Sequence, residues 1–233
     1  MNILITGANR GLGLALTTEA VKRGHTVIAG VRNLVKGTDQ LHHLRSLFPH
    51  QVKLLSLNVA EEATCQEASE TLASENITLD VIINNAAILN ERSKTIEELD
   101  IDKVEQSFNI NLFGPMRVVK HFLPYLNKGP NASIINISSD AGSFQNAYGG
   151  DFPYALSKSA LNMFSQQLKK YLADAQVSVF AVHPGWIKTD MGGDKAPGTP
   201  EESARGILDI VEKKQKIMGN ATFINSKGDP MPL

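Results

Sequence analysis

The sequence predicts an α/β fold, a single-domain doubly wound parallel sheet of the Rossmann type, with about seven strands and helices on both faces. Short apolar runs alternate with longer segments of helical spacing along the chain. The runs are rich in Val and Ile and nearly continuous, as expected of strands covered on both faces. This alternation favours right-handed strand–helix–strand crossovers. Because no linker, charge block or repeat divides the chain, we expect one domain over residues 1–233.

Each predicted strand is a short apolar run that ends at a turn or a polar side chain. In chain order, strands are predicted over Asn2–Thr6, Thr26–Val31, Val52–Asn58, Val81–Asn84, Ser133–Ser138, Val177–His183 and Ala221–Ile224. The segments between them repeat apolar side chains at intervals of three and four, which is typical of helices that pack on a sheet. In chain order, helices are predicted over Leu12–Arg23, Asp39–Phe48, Glu61–Glu75, Asp102–Leu126, Tyr154–Ala173 and Glu201–Gln215.

The composition excludes several classes of protein. Of the 233 residues, 42% are hydrophobic, and 23 basic against 24 acidic side chains give a net charge of -1. This balance argues against wholesale disorder and provides no general attraction to nucleic acid or to an anionic membrane. The one cysteine, Cys65, cannot form an internal disulfide or a zinc site alone, and no metal site is expected. Without a signal-like amino terminus or a long apolar run, we expect a cytoplasmic protein.

A glycine-rich segment follows the first predicted strand and leads directly into the first predicted helix. It has the spacing G-x-x-x-G-x-G and reads Thr6-Gly7-Ala8-Asn9-Arg10-Gly11-Leu12-Gly13. Glycine permits positive φ and close approach of the backbone to a pyrophosphate, and the helix amino terminus offers free N–H groups to the anion. The segment therefore predicts a dinucleotide site that includes Gly7, Asn9, Arg10, Gly11, Leu12 and Gly13. The alternative is a glycine-rich turn without a ligand.

The end of the second predicted strand indicates which dinucleotide binds. NAD enzymes of this fold usually carry an acidic residue about 20 positions after the glycines, where it binds the ribose 2′-hydroxyl. Here the segment reads Ala29-Gly30-Val31-Arg32-Asn33, without Asp or Glu. Arg32 and Arg10 together suit a 2′-phosphate, which accepts charge-assisted hydrogen bonds from guanidinium groups. We therefore predict NADP rather than NAD, the alternative being that both arginines are merely solvated.

Tyr154 and Lys158 are one helical turn apart and lie on the same face of a predicted helix. The pair alone is a weak signal, but Ser138 and Ser139 end the fifth predicted strand a short loop upstream. In a parallel sheet the carboxyl ends of the strands line the ligand crevice. A serine, Tyr154 and Lys158 are therefore expected to converge beside the dinucleotide, with only one of the two serines facing the site.

The joint order of several motifs resembles the short-chain dehydrogenase/reductase family over essentially the whole chain. The landmarks are the glycine-rich segment, Asn84-Asn85-Ala86, Asn109-Ile110-Asn111-Leu112, Ser139, the Tyr154/Lys158 pair and His183-Pro184-Gly185. Asn9–Leu14 and His183–Gly193 are similar, more narrowly, to the sniffer/C-factor group of carbonyl reductases. Two positions depart from the family pattern: Ala87 replaces a glycine, and Asn58 replaces an aspartate that contacts the adenine.

The resemblance implies a role for each matching residue. Tyr154 would be the general acid, and Lys158 would lower the pKa of its phenol. Ser139 would hold the substrate carbonyl, and Asn111 would hold a water that connects Lys158 to solvent. Besides the glycine-rich segment and Arg32, the implied cofactor-binding residues are Asn58, Val59, Asn85, Ala86, Tyr154, Lys158, Pro184, Gly185, Ile187 and Thr189.

These roles imply an NADPH-dependent carbonyl reductase that acts on a ketone, an aldehyde or a quinone-like carbonyl. Two alternatives stay open: an NAD-dependent alcohol dehydrogenase, and a nucleotide-binding signalling protein in which turnover is incidental. The missing acid after the second strand disfavours NAD, and binding alone does not require the Tyr154 phenol. A small-molecule carbonyl substrate is expected as partner, without nucleic acid or membrane. Family analogy also implies a homodimer, with a tetramer as the other option.

Overall fold

All seven strands belong to one parallel sheet. The computed structural model describes residues 1–233, and its strands are β1 (Asn2–Thr6), β2 (Thr26–Val31), β3 (Val52–Ser56), β4 (Val81–Asn84), β5 (Ser133–Ile137), β6 (Ser178–His183) and β7 (Phe223–Asn225). They lie in the order β3-β2-β1-β4-β5-β6-β7, and each neighbouring pair is parallel. The predicted doubly wound sheet of seven strands is confirmed.

Helices connect successive strands and cover both faces of the sheet. They are α1 (Gly11–Lys22), α2 (Asp39–Leu47), α3 (Glu62–Ser74), α4 (Ile101–Phe108), α5 (Gly114–Phe122), α6 (Phe152–Tyr171) and α7 (Pro200–Val211). A π-helical segment, Asn109–Phe113, joins α4 to α5, and short 3₁₀ turns occupy Ile96–Glu98, Leu123–Tyr125 and Asp140–Gly142. No helix of the protein is both long enough and apolar enough to cross a membrane.

The core consists of two apolar layers, one on each face of the sheet. In β1, Ile3 and Ile5 contact the layer formed with α1, α2 and α7, whereas Leu4 contacts the layer formed with α3, α5 and α6. This division follows from strand geometry, because successive side chains point to opposite faces. Both faces are therefore buried, which explains why the strands read as continuous apolar runs.

The prediction of one continuous helix over Asp102–Leu126 is wrong, because the segment is interrupted. The chain forms α4, then the π segment Asn109–Phe113, then α5 and a 3₁₀ turn that ends at Tyr125. Gly114 starts α5 against the loop after β3, where a Cβ would lie only 3.0 Å from Val59 Cγ2. The apolar repeat continues on both sides of the π segment, so periodicity does not reveal an interruption of this kind.

Several predicted strand ends are also corrected. β3 ends at Ser56 rather than Asn58, β5 ends at Ile137 rather than Ser138, and β7 covers Phe223–Asn225 rather than Ala221–Ile224. Pairing with the neighbouring strand sets these ends: Ser56 pairs with Val31, the last residue of β2. Pairing partners are tertiary contacts, and an apolar run does not mark where they stop.

The order of the strands places the crevice of the fold at the carboxyl ends of β1 and β4. From β1 the chain continues to β2 and β3 on one side of the sheet, and then returns to β4 on the other side of β1. Such a reversal opens a crevice beyond the strand ends, where ligands of doubly wound sheets bind. The glycine-rich segment follows β1, and the loops after β4, β5 and β6 open onto the same edge.

Candidate active site

A cavity of about 810 Å³ lies at the carboxyl edge of the sheet. It extends from the end of β2, past the glycine-rich segment, to the loops after β4, β5 and β6. Of the predicted site residues, Asn111 alone does not line it. The others do: Gly7, Asn9, Arg10, Gly11, Leu12, Gly13, Arg32, Asn58, Val59, Asn85, Ala86, Ser139, Tyr154, Lys158, Pro184, Gly185, Ile187 and Thr189. The fold therefore brings together residues that are distant in sequence.

The glycine-rich segment forms a turn that only glycine allows at two places. Gly7 has φ +64°, and a Cβ on Gly13 would lie 2.1 Å from the Gly7 carbonyl oxygen. The α1 helix starts at Gly11, and no side chain caps it, since Arg10 at the N-cap makes no capping hydrogen bond. The first N–H groups of α1 therefore remain available to an anion, and the helix dipole favours one there.

Asn85 holds the glycine-rich segment from the adjacent strand end. Its Nδ2 donates to the carbonyl oxygens of Thr6 at 2.9 Å and Gly7 at 3.2 Å. The Thr6 hydroxyl oxygen in turn accepts from the backbone N–H groups of Asn85 and Ala86, both at 3.0 Å. The Asn85 side chain thus shapes the turn, and this pair of strand ends forms one hydrogen-bonded unit.

Three basic side chains line the cavity near the end of β2. Arg32 follows the strand, Lys36 lies four residues further on, and Arg10 comes from the glycine-rich segment. Residues 32–38, which connect β2 to α2, include no acidic side chain. Arg10 forms a salt bridge of 2.6 Å with Asp190 from the loop after β6. The sequence prediction missed Lys36, although its position four residues after Arg32, in the same segment between β2 and α2, was a possible signal.

Asn58 and Val59 line the cavity beside this basic region. The Asn58 Nδ2 donates to Glu61 Oε1 at 2.6 Å, and its Oδ1 accepts from the Ala60 N–H at 3.3 Å. One acceptor position of the Asn58 amide oxygen therefore remains free of protein partners. Val59 is held by its contact with Gly114 and by Arg117, which donates to the Val59 carbonyl oxygen at 3.1 Å.

The two serines after β5 have different surroundings. Ser138 Oγ donates to Asn162 Oδ1 at 2.6 Å, inside the protein. Ser139 Oγ donates to Asp140 Oδ1 at 3.0 Å and accepts from the Ala141 N–H at 3.2 Å, at the start of the Asp140–Gly142 turn. This geometry supports Ser139 as the serine that meets a substrate.

Lys158 is almost completely buried behind Tyr154, at 2% exposure. Its Nζ donates to the Ile137 carbonyl oxygen at 2.7 Å and lies 5.5 Å from the centre of the Tyr154 ring. Burial lowers the pKa of the Lys158 ammonium to about 7 because the charged form is poorly solvated there.

The Tyr154 phenol is buried, and its pKa is raised. Burial and the charge of Asp140 outweigh the Ser139 hydroxyl, which acts in the opposite direction, so that the pKa of Tyr154 rises to about 12. Burial disfavours both the phenolate of Tyr154 and the ammonium of Lys158. The lowering of the Tyr154 pKa by Lys158 stays a prediction.

Asn111 lies in the π segment and is completely buried. Its Oδ1 accepts from the Ile88 N–H at 2.9 Å, and its Nδ2 donates to the Ile88 carbonyl oxygen at 2.9 Å and to Ser157 Oγ at 3.0 Å. Ser157 Oγ donates to the Tyr154 carbonyl oxygen at 2.8 Å. The Asn111 side chain thus braces the turn between Tyr154 and Lys158, and both of its N–H groups are already used.

Residues outside the predicted site set also line the far end of the cavity. Asp140 follows Ser139, and its backbone N–H donates to His183 Nδ1 at 3.2 Å. Tyr148 donates to Asp151 Oδ2 at 2.8 Å, and Trp186 also lines the cavity. The position of Asp140 beside Ser139 was visible in the sequence, but its approach to His183 depends on the pairing of β5 with β6. No group of residues in the protein is arranged to hold a metal ion.

Comparison with known proteins agrees with this geometry. The family model for short chain dehydrogenase matches residues 1–199. Among solved structures, the NADPH-bound carbonyl reductase from chicken fatty liver is 31% identical, with a TM-score of 0.89, and the match covers 100% of this chain and 98% of the other. The carbonyl reductase Sniffer of Drosophila melanogaster is 28% identical, with a TM-score of 0.90 and coverage of 100% and 99%.

One of the similar curated proteins is an aldehyde reductase. The NADPH-dependent pterin aldehyde reductase of Arabidopsis thaliana is 33% identical over 189 residues, which cover 81% of this chain and 76% of the relative.

Proposed function

The chain belongs to the short-chain dehydrogenase family, and on that premise we propose that it is an NADPH-dependent carbonyl reductase. The observation that supports this most directly is one cavity with Ser139, Tyr154 and Lys158 at one end and Arg10, Arg32 and Lys36 at the other. The substrate would be a ketone, an aldehyde or a quinone-like carbonyl. The carbonyl reductases among the similar structures and the aldehyde reductase among the relatives support this class.

The residues present fit a phosphorylated dinucleotide. A Cβ on Gly13 would collide with the Gly7 carbonyl oxygen, so only glycine allows this close approach, and the start of α1 beside it is uncapped and available to a pyrophosphate. Arg32 and Lys36 supply positive charge where an acid would select NAD. Asn58 and Val59 would hold the adenine. The nicotinamide end would be held by Thr189, Ile187 and the turn at Pro184-Gly185. When bound, the nicotinamide supplies the hydride.

In the proposed mechanism Tyr154 donates the proton that the reduced carbonyl oxygen receives. A phenol whose pKa is raised to about 12 stays protonated at neutral pH, so the proton is available for reduction. The Ser139 hydroxyl would redirect its hydrogen bond from Asp140 to the carbonyl oxygen of the substrate. This hydrogen bond would orient and polarise the carbonyl group. Lys158, next to Tyr154, would hold the nicotinamide ribose, and Asn111 with Ser157 keeps the helical turn between Tyr154 and Lys158 in place.

The test is NADPH consumption with a panel of ketones, aldehydes and quinones, measured for wild type and two tyrosine variants. Tyr154→Phe removes the proton donor and is expected to lower kcat by at least about 10²-fold, with NADPH binding retained. Tyr171→Phe is the matched control, since Tyr171 lies 75% exposed at the end of α6, outside the cavity. Turnover that survives in Tyr154→Phe would contradict the mechanism. A wild type that consumes NADPH with none of these compounds would contradict the proposed function itself.

A homodimer is proposed for the assembly. Phe113, Met116, Leu156 and Met163 expose large apolar side chains on the π segment, α5 and α6, and burial against a second copy would stabilise an exposed surface of this kind. Sedimentation equilibrium is expected to give twice the chain mass. Met116→Lys with Met163→Lys is expected to yield monomers, because two charges would then be buried in the interface.

A further inference from the structure

A salt bridge joins two walls of the cavity at its solvent-exposed rim. Arg10 Nη1 lies 2.6 Å from Asp190 Oδ2, and the two side chains are 68% and 79% exposed. Arg10 belongs to the glycine-rich segment and Asp190 to the loop after β6, and both line the cavity. The bridge therefore connects the dinucleotide side of the cavity to a loop that borders the substrate side.

The loop that contains Asp190, residues 186–192, has other attachments. The Met191 carbonyl oxygen accepts a hydrogen bond at 2.9 Å from Nη1 of Arg92. Arg92 lies in the segment between β4 and α4. Within the loop, Trp186 Nε1 donates to the Gly192 carbonyl oxygen at 2.8 Å. Arg92 thus holds one side of the loop, while the other side depends on Asp190 and on Thr189, which contacts the glycine-rich segment near Gly11.

We propose that Asp190 sets the affinity for the phosphorylated cofactor by competing with its 2′-phosphate for Arg10. The proposal rests on the proposed use of NADP. An exposed ion pair is weak and readily exchanged, whereas a phosphate accepts paired, charge-assisted hydrogen bonds from a guanidinium. Arg32 and Lys36 line the same cavity as Arg10, so they would add positive charge for a phosphate bound there. When Arg10 turns to the phosphate, the 186–192 loop loses its link to the glycine-rich segment at Asp190, while Arg92 still holds Met191.

The experiment measures dissociation constants for NADP and for NAD with wild type, Asp190→Asn and Asp194→Asn. Asp190→Asn removes the competing carboxylate and is expected to lower the Kd for NADP about two- to fivefold, without changing the Kd for NAD. Asp194→Asn removes the same charge a few residues away, at an exposed position outside the cavity. It is expected to leave both constants at the wild-type values.

The outcomes separate this proposal from the proposed function. If wild type prefers NADP and the two variants bind it equally, the competition for Arg10 is overturned while the cofactor preference stands. An equal change for NADP and NAD in Asp190→Asn also overturns it, because NAD has no 2′-phosphate. If wild type binds NAD as tightly as NADP, both the preference and the competition fail.

Trp186 reports on the loop, since it is the one tryptophan of the chain. Adenosine 2′-monophosphate carries the phosphate without a nicotinamide, so it is expected to change Trp186 fluorescence in wild type but not in Asp190→Asn. Adenosine 5′-monophosphate is expected to change it in neither. Unchanged emission in wild type at saturating 2′-monophosphate would overturn the release of the loop.

Discussion

Tyr154 and Lys158 lie in the same cavity, and burial moves their pKa values in opposite directions. The phenol stays protonated at neutral pH, while the Lys158 ammonium has a pKa of about 7 and loses its proton as pH rises through that value. These protonation states suit reduction, in which the phenol donates, better than alcohol oxidation, in which a phenolate must accept. The protonated phenol is the form that the proposed proton donation requires.

Arg32 carries the prediction on cofactor choice at the residue scale. Arg32→Asp is expected to raise the Kd for NADPH about 10- to 100-fold, which corresponds to one charge-assisted contact of about 1.5–3 kcal/mol. The Kd for NADH is expected to fall, because a carboxylate at this position can accept from the ribose 2′-hydroxyl. Both constants are measured by fluorescence titration. The control is Arg45→Asp, the same change at an exposed position of α2. If the ratio of the Kd for NADPH to the Kd for NADH is unchanged in Arg32→Asp, Arg32 does not contact the cofactor.

At the scale of elements, the junction of β1 and α1 is packed so tightly that one methyl group matters. A Cβ on Gly13 would lie 2.1 Å from the Gly7 carbonyl oxygen and 2.7 Å from Asn85 Nδ2. Helix and strand therefore approach each other through glycine, and Asn85 fixes the turn from the neighbouring strand end. The proposed dinucleotide site and the packing of α1 on the sheet therefore depend on the same glycines.

Gly13→Ala is expected to displace α1 from β1 and to lower the free energy of unfolding by about 1–3 kcal/mol. NADPH affinity is expected to fall steeply in the same variant, since the N–H groups at the start of α1 move. Urea unfolding and a binding titration measure the two effects. The control is Gly149→Ala, because a Cβ on Gly149 has open space around it. Wild-type stability in Gly13→Ala would show that the junction can relax.

At the scale of the whole molecule, an ion-pair cluster joins α1, α7 and the start of β2 far from the cavity. Arg23 contacts Glu19 at 2.9 Å, Asp209 at 2.7 Å and Glu212 at 2.5 Å, and Glu212 also contacts His25 at 2.9 Å. The Glu212 side chain is only 14% exposed, so these contacts are poorly screened. Hydrogen bonds from Lys214, Arg23 and His25 outweigh burial and lower the pKa of Glu212 from 4.5 to about 2.

This shift predicts how stability depends on pH. Because the folded protein holds the charged form of Glu212, its contribution is complete above the unfolded value of 4.5 and is lost as pH falls toward about 2. Glu212→Gln is expected to cost about 1.5–3 kcal/mol of unfolding free energy at neutral pH, and the difference from wild type is expected to narrow in acid. Urea unfolding between neutral pH and about pH 3 measures it. The control Glu67→Gln changes an exposed carboxylate of α3, and a constant difference across pH in Glu212→Gln would refute the linkage.

Local pattern was enough to predict most of the architecture and most of the candidate site. Apolar runs and helical spacing are short-range properties, so they identify strands, helices and the resulting parallel sheet. The glycine spacing, the Tyr154/Lys158 turn and the missing acid after β2 are equally local. Once the sheet is parallel, its carboxyl ends meet at one edge, so these motifs were expected to share a cavity.

Long-range contacts, by contrast, set the features that periodicity does not carry. The π segment around Asn111 arises where Gly114 meets the loop after β3, and strand ends depend on their pairing partners. The salt bridge of Arg10 with Asp190 joins positions 180 residues apart. The pKa of Lys158 follows from burial that no neighbouring residue encodes. Desolvation and packing are properties of the assembled fold, so only the tertiary structure decides the protonation and the long-range contacts of these residues.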